Sequence, residues 1–253
     1  LIEAGHLFSQ HSLNTYARCK RRFYLKYVAQ QPWPVPEGDD LAEYEAHLAR
    51  GRVFHQWVAR ALLGIDMEPI AAASHDAQLR AWWQAFGRFD LTALPQALRE
   101  VELALVVPLG DYRLYARYDL LALDPQGSAV IVDWKTLESV PPYHVLRDRW
   151  QTRVYLHALA AAGQVVSGGA PVDPARMEMF YWFADHEQSV TIPFSQAEQQ
   201  RNARALLALV DEIAALTAEA LPSLTTCASA RAAISAPFAG GLPAFLCKPP
   251  IGW

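Results

Sequence analysis

Ile131-Val132-Asp133-Trp134-Lys135-Thr136 is the stretch on which the reading of this chain turns. It reads as a short β-strand, in which residues two apart point to the same face. That alternation sends the Asp133 carboxylate and the Lys135 ammonium into one shared space. Val132 and Trp134 then face the opposite layer, and Ile131 begins the strand. An acid and an amine side by side on a strand are either a salt bridge or half of a metal-assisted hydrolase. The rest of the chain has to decide between them.

At 253 residues, with 52% hydrophobic and 19% charged residues, the composition is that of a soluble globular protein. We expect one domain, or one domain with a helical extension, able to bury a sizeable core. No apolar run is long and uncharged enough to cross a bilayer, and a cytoplasmic location is the default expectation. The chain opens at Leu1 with neither a methionine nor a signal-peptide pattern, as a trimmed product would. Cys19, Cys227 and Cys247 are odd in number and widely separated, which does not suggest a disulfide framework. The net charge of −4 argues against a general nucleic-acid coat, because phosphate binding is cationic. It leaves room for an enzyme whose positive charge is local.

Working outward, a first helix begins near Ser12 as N-cap. Leu13, Tyr16, Phe23 and Tyr27 form its apolar stripe, and Arg18, Lys20, Arg21, Arg22 and Lys26 cover much of the remainder. That basic face is either solvated surface or a phosphate-contacting surface with aromatics interleaved. The proline-punctuated run from Gln31 to Gly38 cannot continue the helix. A second helix is expected from about Leu41 to Leu63, burying Phe54, Val58, Ala59, Leu62 and Leu63. It carries His55 and, one turn earlier, Gly51. A lone helical histidine is more often structural than a ligand. Glycine in a helix costs about 1 kcal/mol against alanine, so Gly51 suggests a close approach of another segment. A third helix, Ala77 to Phe89, brings Trp82, Trp83 and Phe86 to a core.

The pattern then changes to strands, Glu100–Val107, Tyr112–Leu123 and Ala129–Thr136, joined by turns at Pro108–Asp111 and Asp124–Gly127. This predicts an antiparallel meander with Asp119 on its middle strand, inside the nearly apolar run Tyr118 to Leu123. A carboxylate there needs a partner, since an unpaired buried charge is costly; Lys135 or a bound cation would serve. A helix over His144–Ala162 presents Gln151 and Tyr155 four residues apart on one face. Two strands, Met177–Phe183 and Ser189–Pro193, a packing helix Gln196–Leu216 and an irregular tail from Pro222 complete the chain. There is no internal repeat.

Taken in order, the segments SLNTYARCKRRFYLKY (12–27), GRVFH (51–55), ARYD (116–119), IVDWKT (131–136) and QTRVY (151–155) resemble the PD-(D/E)XK nuclease superfamily. The resemblance is specifically to its RecB-like branch, which includes the nuclease domains of bacterial recombination helicases and CRISPR-associated RecB-like exonucleases. Each motif alone is weak; together, in order and on the right element types, they are specific. The resemblance implies an α/β (α+β) restriction-endonuclease-like core with a central mixed sheet flanked by helices, plus an N-terminal helical part. As a single domain over 1–253 it would comprise a mainly helical part (1–95), the nuclease core (96–220) and the tail (221–253).

It also implies a Mg²⁺- or Mn²⁺-dependent nuclease that hydrolyses phosphodiester bonds of DNA, acting as an exonuclease on single-stranded ends in repair, recombination or CRISPR-type defence. Hard cations prefer oxygen ligands. Asp119, Asp133 and the Trp134 backbone carbonyl would supply them, with His55 as a further ligand. Lys135 would orient the attacking water or stabilise developing charge. Gln151 and Tyr155 would steady the site or the nucleic-acid strand, and Arg18, Lys20, Arg21 and Arg22 would bind it. The partners implied are DNA and a helicase, CRISPR or repair protein, with no membrane. Two departures stand out. Ala116 replaces the family's usual glycine. Cys19 stands where an early iron–sulfur ligand would be, but Ala233, Ala236 and Leu242 occupy about the places of later ones. Cys227 and Cys247 are then too few and badly spaced, and no iron–sulfur cluster is expected. The alternatives are a catalytically weak or inactive nuclease-fold subunit that binds nucleic acid or serves as a scaffold, and an unrelated α/β binding domain in which Asp119, Asp133 and Lys135 form a structural ion group.

Overall fold

The computed structural model describes residues 2–31, 39–169, 172–217 and 221. It begins with β1 (Leu7–Ser9), α1 (Gln10–Arg18), α2 (Lys20–Phe23) and a π-helical turn (Tyr24–Val28). Three helices follow, α3 (Asp39–Leu62), α4 (Glu68–Ala73) and α5 (Ala77–Gly87). Then come β2 (Leu98–Val101), β3 (Ala104–Leu109), β4 (Tyr112–Arg117), β5 (Leu120–Leu123) and β6 (Ala129–Lys135). The last part holds α6 (Tyr143–Asp148), α7 (Trp150–Val166), β7 (Met177–Phe183), β8 (Gln188–Pro193) and α8 (Gln196–Ala214).

Two mixed sheets result. The larger has the order β2-β5-β6-β7-β8, the smaller β1-β4-β3. Within the larger, β6 and β7 run parallel and the other neighbours antiparallel. The expected meander is therefore bent across both sheets instead of forming three straight strands. Its two long strands each break, one at Glu102-Leu103 and the other at Tyr118-Asp119. Glu102 takes a left-handed φ of 55°. Backbone pairing still crosses the break, from Glu102 N to Asp119 O (3.1 Å) and from Tyr118 N to Leu103 O (2.9 Å). A locally twisted break of this kind re-aims side chains. Asp119 consequently stands at a corner between sheets and not in the middle of a strand.

Strand β6 sorts its residues by alternation. Val130, Val132 and Trp134 join a core of Phe54, Trp57, Trp82, Phe86 and Trp182 under the α3–α5 helices. Ala129 and Ile131 join the core beneath α7, with Val154, Leu156, Met179 and Tyr181. Trp134 is 1% exposed, and aromatic rings meet it edge-on from Phe86, Phe89 and Trp182. Full burial of such a side chain contributes on the order of 3 kcal/mol or more.

Several boundaries differ from the sequence reading. The N-cap of α1 is Ser9, whose Oγ accepts from Ser12 N (3.3 Å) while Ser12 Oγ accepts from Ser9 N (2.9 Å). This capping box explains the attraction of Ser12 as a start signal. Cys19, extended at φ −161°, interrupts the helix, and its Sγ caps α2 by accepting from Arg22 N. Cys19 is also disulfide-bonded, which the cysteine spacing did not suggest. On α3, Trp57 is buried, whereas Leu63 lies past the helix end and is 67% exposed. The third helix stops at Gly87, leaving Phe89 to pack from the following loop. The expected helix over 144–162 is two helices that meet at Arg149. Strand β1 and helix α4 were not foreseen. The proline-rich stretch 32–38 and the tail from Pro222, with Cys227 and Cys247, lie outside the described residues.

Candidate active site

Asp133 and Lys135 emerge from the C-terminal end of β6 on the same face, as strand geometry requires. Lys135 Nζ lies 2.5 Å from Asp133 Oδ2. Gln151, on the first turn of α7, joins them. Its Oε1 accepts from Lys135 Nζ (2.9 Å) and its Nε2 donates to Asp133 Oδ1 (2.5 Å). Asp119 reaches the same strand end from the corner between sheets, and its Oδ2 accepts from Trp134 N (2.9 Å). His55 Nδ1 is 3.3 Å from that oxygen. The side chain of Asp133 is only 5% exposed, but that of His55 is 31% exposed, so the group opens outward on the α3 side.

Helix α3 is held close to this strand end. A Cβ at Gly51 would come within 3.0 Å of Thr136 Oγ1, which accounts for glycine there. One turn before it, His47 Nε2 hydrogen-bonds Thr136 O (2.7 Å). His47, Gly51 and His55 thus repeat at four-residue intervals along the face of α3 that rides on the end of β6. The sequence reading missed His47; its spacing from His55 was the available signal.

Tyr155 stands one turn beyond Gln151 and is 5% exposed. Its hydroxyl accepts from Gln10 Nε2 (3.4 Å), and its ring meets Tyr118 edge-on. Tyr181 on β7 was also missed. Its ring lies 5.5 Å from Lys135 Nζ, close enough to favour the ammonium.

Burial pulls the Asp119 carboxyl upward, but the adjacent His55, the Trp134 N–H and Lys135 outweigh it and hold the group below its ordinary range. Asp133 goes the other way. Burial raises it, Lys135 opposes, and the nearby Asp119 charge adds to the rise. For His55, burial lowers the pKa, yet Asp119 and Asp133 more than compensate and leave it raised. Burial lifts Tyr155 well above the ordinary phenol range.

The predicted basic residues do not form one surface. Lys20 Nζ pairs with Glu212 (2.5 Å) and lies over the Tyr16 ring. Arg22 is 8% exposed, Arg21 is half-buried and Arg18 is exposed at the end of α1.

Among the described residues, no three His, Cys, Asp or Glu side chains are already gathered as a metal site. The donor chemistry nevertheless fits a hard cation. Asp133 Oδ2 is buried and receives no directed hydrogen bond despite its ion pair with Lys135. Both contacts of Asp119 use Oδ2. Oxygen donors of this kind suit Mg²⁺ or Mn²⁺, with His55 beside them.

A family model of the PD-(D/E)XK nuclease superfamily matches residues 7–231. The chain belongs to that superfamily. The nuclease fold is also found in the crystal structure of a candidate exonuclease from Eubacterium rectale, at a TM-score of 0.51 and 9% identity over 82% of this chain and 80% of that one. The crystal structure of SSO0001 aligns at a TM-score of 0.44 and 13% identity, over 84% of this chain and 78% of that one. At 9% identity the likeness to the Eubacterium rectale structure is one of fold. A comparison with curated proteins found no match. In this nuclease no helix among the described residues is long and apolar enough to cross a membrane.

Proposed function

We propose that the protein is a Mg²⁺- or Mn²⁺-dependent deoxyribonuclease of RecB-like type, acting on single-stranded DNA ends in the cytoplasm, in repair, recombination or CRISPR-type defence, alongside a helicase or repair partner. The observation that supports this most is the Gln151 side chain, which bridges Asp133 and Lys135 while His55 and Asp119 meet beside them. A purely structural ion pair would not need a histidine brought from a separate helix or an amide fastening both charges. The helix-borne His55 and the Gln151–Tyr155 pair are the features that favour the RecB-like branch.

Asp119, Asp133, the Trp134 carbonyl and His55 would hold the cation. When bound, it lowers the pKa of a water molecule and neutralises charge on the phosphate. Asp119 is suited to ligation because its environment keeps it ionised. Gln151 orients two groups at once, presenting its carbonyl oxygen to Lys135 and its amide N–H to Asp133. Lys135 is thereby held where an ammonium can orient the nucleophile or stabilise the negative charge that develops on the phosphoryl oxygens. Tyr155, packed on Tyr118, supports α7 against the corner that carries Asp119.

The test is incubation with end-labelled single- and double-stranded DNA, with and without Mg²⁺ or Mn²⁺. We expect metal-dependent loss of label from single-stranded ends, abolished in Asp119→Ala, Asp133→Ala and Lys135→Ala. Cleavage that persists in all three variants would overturn the assignment.

A further inference from the structure

The corner between α6 and α7 presents a cation that the proposed chemistry does not yet use. Arg149 breaks the helix with an extended backbone, φ −61° and ψ 142°. The break is firmly held. Thr152 Oγ1 donates to Leu146 O (2.5 Å) and shares a hydrogen bond with Tyr181 Oη (2.7 Å), both in buried surroundings. Arg149 N itself donates to Leu146 O (3.3 Å). The corner is therefore tied to β7, the strand paired with β6.

At its apex the Arg149 side chain is half-buried, yet it makes no hydrogen bond or ion pair among the described residues. Its neighbours differ. Arg147 and Arg153 both pair with Asp148. Shielding a guanidinium from water without an anion is unfavourable. Burial indeed depresses the Arg149 pKa, while Tyr181 and Asp133 pull it back and Arg18 opposes them. Asp133 is already engaged by Lys135 and Gln151. Arg18 stands on the last turn of α1, and His11, two turns earlier on the same face, feels both Lys135 and Lys26. Helix α1 packs against α7, where Gln10 Nε2 reaches Tyr155 Oη (3.4 Å), so the cations of α1 and of the α6–α7 corner lie on neighbouring elements, with no acid assigned to Arg149.

We infer that Arg149 is a substrate-positioning residue that grips a backbone phosphate next to the scissile one, so that the DNA strand passes between α1 and the start of α7. A guanidinium fork suits two non-bridging phosphate oxygens, and lysine would supply only a point charge. That the gripped anion is a DNA phosphate rests on the nuclease reading above. The geometry of the corner does not.

The experiment uses the full chain and a fluorescein-labelled single-stranded oligonucleotide. Affinity is measured by anisotropy in EDTA across a salt series, and kcat and KM are measured with Mn²⁺. For Arg149→Ala we expect about a tenfold weaker Kd and a proportionate rise in KM. The slope of log K against log salt should shrink by about 0.7, the value for one lost phosphate contact on a single strand. Arg149→Lys should keep the wild-type slope and recover only part of the affinity. Thermal melting of both variants separates a structural role, and Arg149→Lys carries the test if the alanine variant does not fold. Unchanged Kd and salt slope in Arg149→Ala would overturn the inference. So would weaker binding that follows a lowered Tm with the slope intact. If the wild type binds with an Arg149-dependent slope but never cleaves, the nuclease reading fails and the phosphate grip stands. If it cleaves normally while Arg149→Ala binds as wild type, only the grip fails.

Discussion

Replacing Gly51 by alanine tests whether the approach of α3 to the end of β6 sets the position of His55. The new Cβ would lie 3.0 Å from Thr136 Oγ1, tight enough that one of them must yield by a few tenths of an ångström. The Thr136 backbone is held, because its carbonyl accepts from His47 on the same helix (2.7 Å). Alanine should gain about 1 kcal/mol in helix propensity, while overpacking costs roughly 1–3 kcal/mol. The net change in stability is then small, about 0–2 kcal/mol destabilising. The effect on function should be larger in proportion, because α3 and His55 shift together against Asp119, now 3.3 Å away. A misplacement of about 1 Å can cost 10²-fold in rate; a few tenths should cost roughly three- to tenfold in kcat/KM. The assay is DNA cleavage with Mn²⁺ alongside urea unfolding. Adding Thr136→Ala removes the obstructing Oγ1 and should restore most of the lost rate. A Gly51→Ala enzyme that is fully active and about 1 kcal/mol more stable would refute the reasoning, as would a double variant no better than the single one.

Two further outcomes follow from the same geometry. Gln151→Leu removes both amide contacts, leaving Lys135 and Asp133 joined only by their ion pair; kcat should fall on the order of 10–10²-fold with KM little changed, measured on single-stranded DNA. Asp76 caps α5 by accepting from Leu79 N (3.0 Å) and pairs with Arg50 (2.8 Å), so Asp76→Ala should cost about 1 kcal/mol in urea unfolding at pH 7. Burial raises the Asp76 pKa, but the Leu79 N–H and Arg50 lower it more, for a net depression. With a folded pKa below the unfolded one, its contribution is present above the unfolded value and fades as pH falls through the folded one. The wild type and Asp76→Ala should therefore converge in stability as pH falls through the depressed folded pKa, a convergence that a pH series of urea melts would reveal.

Much of the site was legible because it depends on short periodicities. Alternation along β6 is enough to pair Asp133 with Lys135 and to send Val132 and Trp134 into the opposite core. A four-residue step is enough to align Gln151 with Tyr155. Gly51 in a helix suggested a close neighbour, and Thr136 is that neighbour. What escaped the reading depends on backbone breaks that no periodicity encodes. The left-handed Glu102 and the adjoining break at Tyr118-Asp119 turn a plain meander into a corner between sheets. That bend, and not the strand itself, delivers Asp119 to Trp134 N. The break at Arg149 lies inside a good helical pattern and is held by the Thr152–Tyr181 contact, across 29 residues of sequence. Lys20 and Arg22 looked like members of one basic face, but the Glu212 carboxylate on α8 and burial under the turn at Cys19 are tertiary facts.

The most direct measurement of the central proposal is divalent-metal binding by titration calorimetry, in the wild type and in Asp119→Ala, Asp133→Ala and His55→Ala, paired with cleavage of end-labelled single-stranded DNA by the same samples. The account predicts that Mn²⁺ binds the wild type and that each substitution weakens binding at least about tenfold, with cleavage lost in step. Mn²⁺ binding and DNA cleavage that both survive removal of either carboxylate would contradict it.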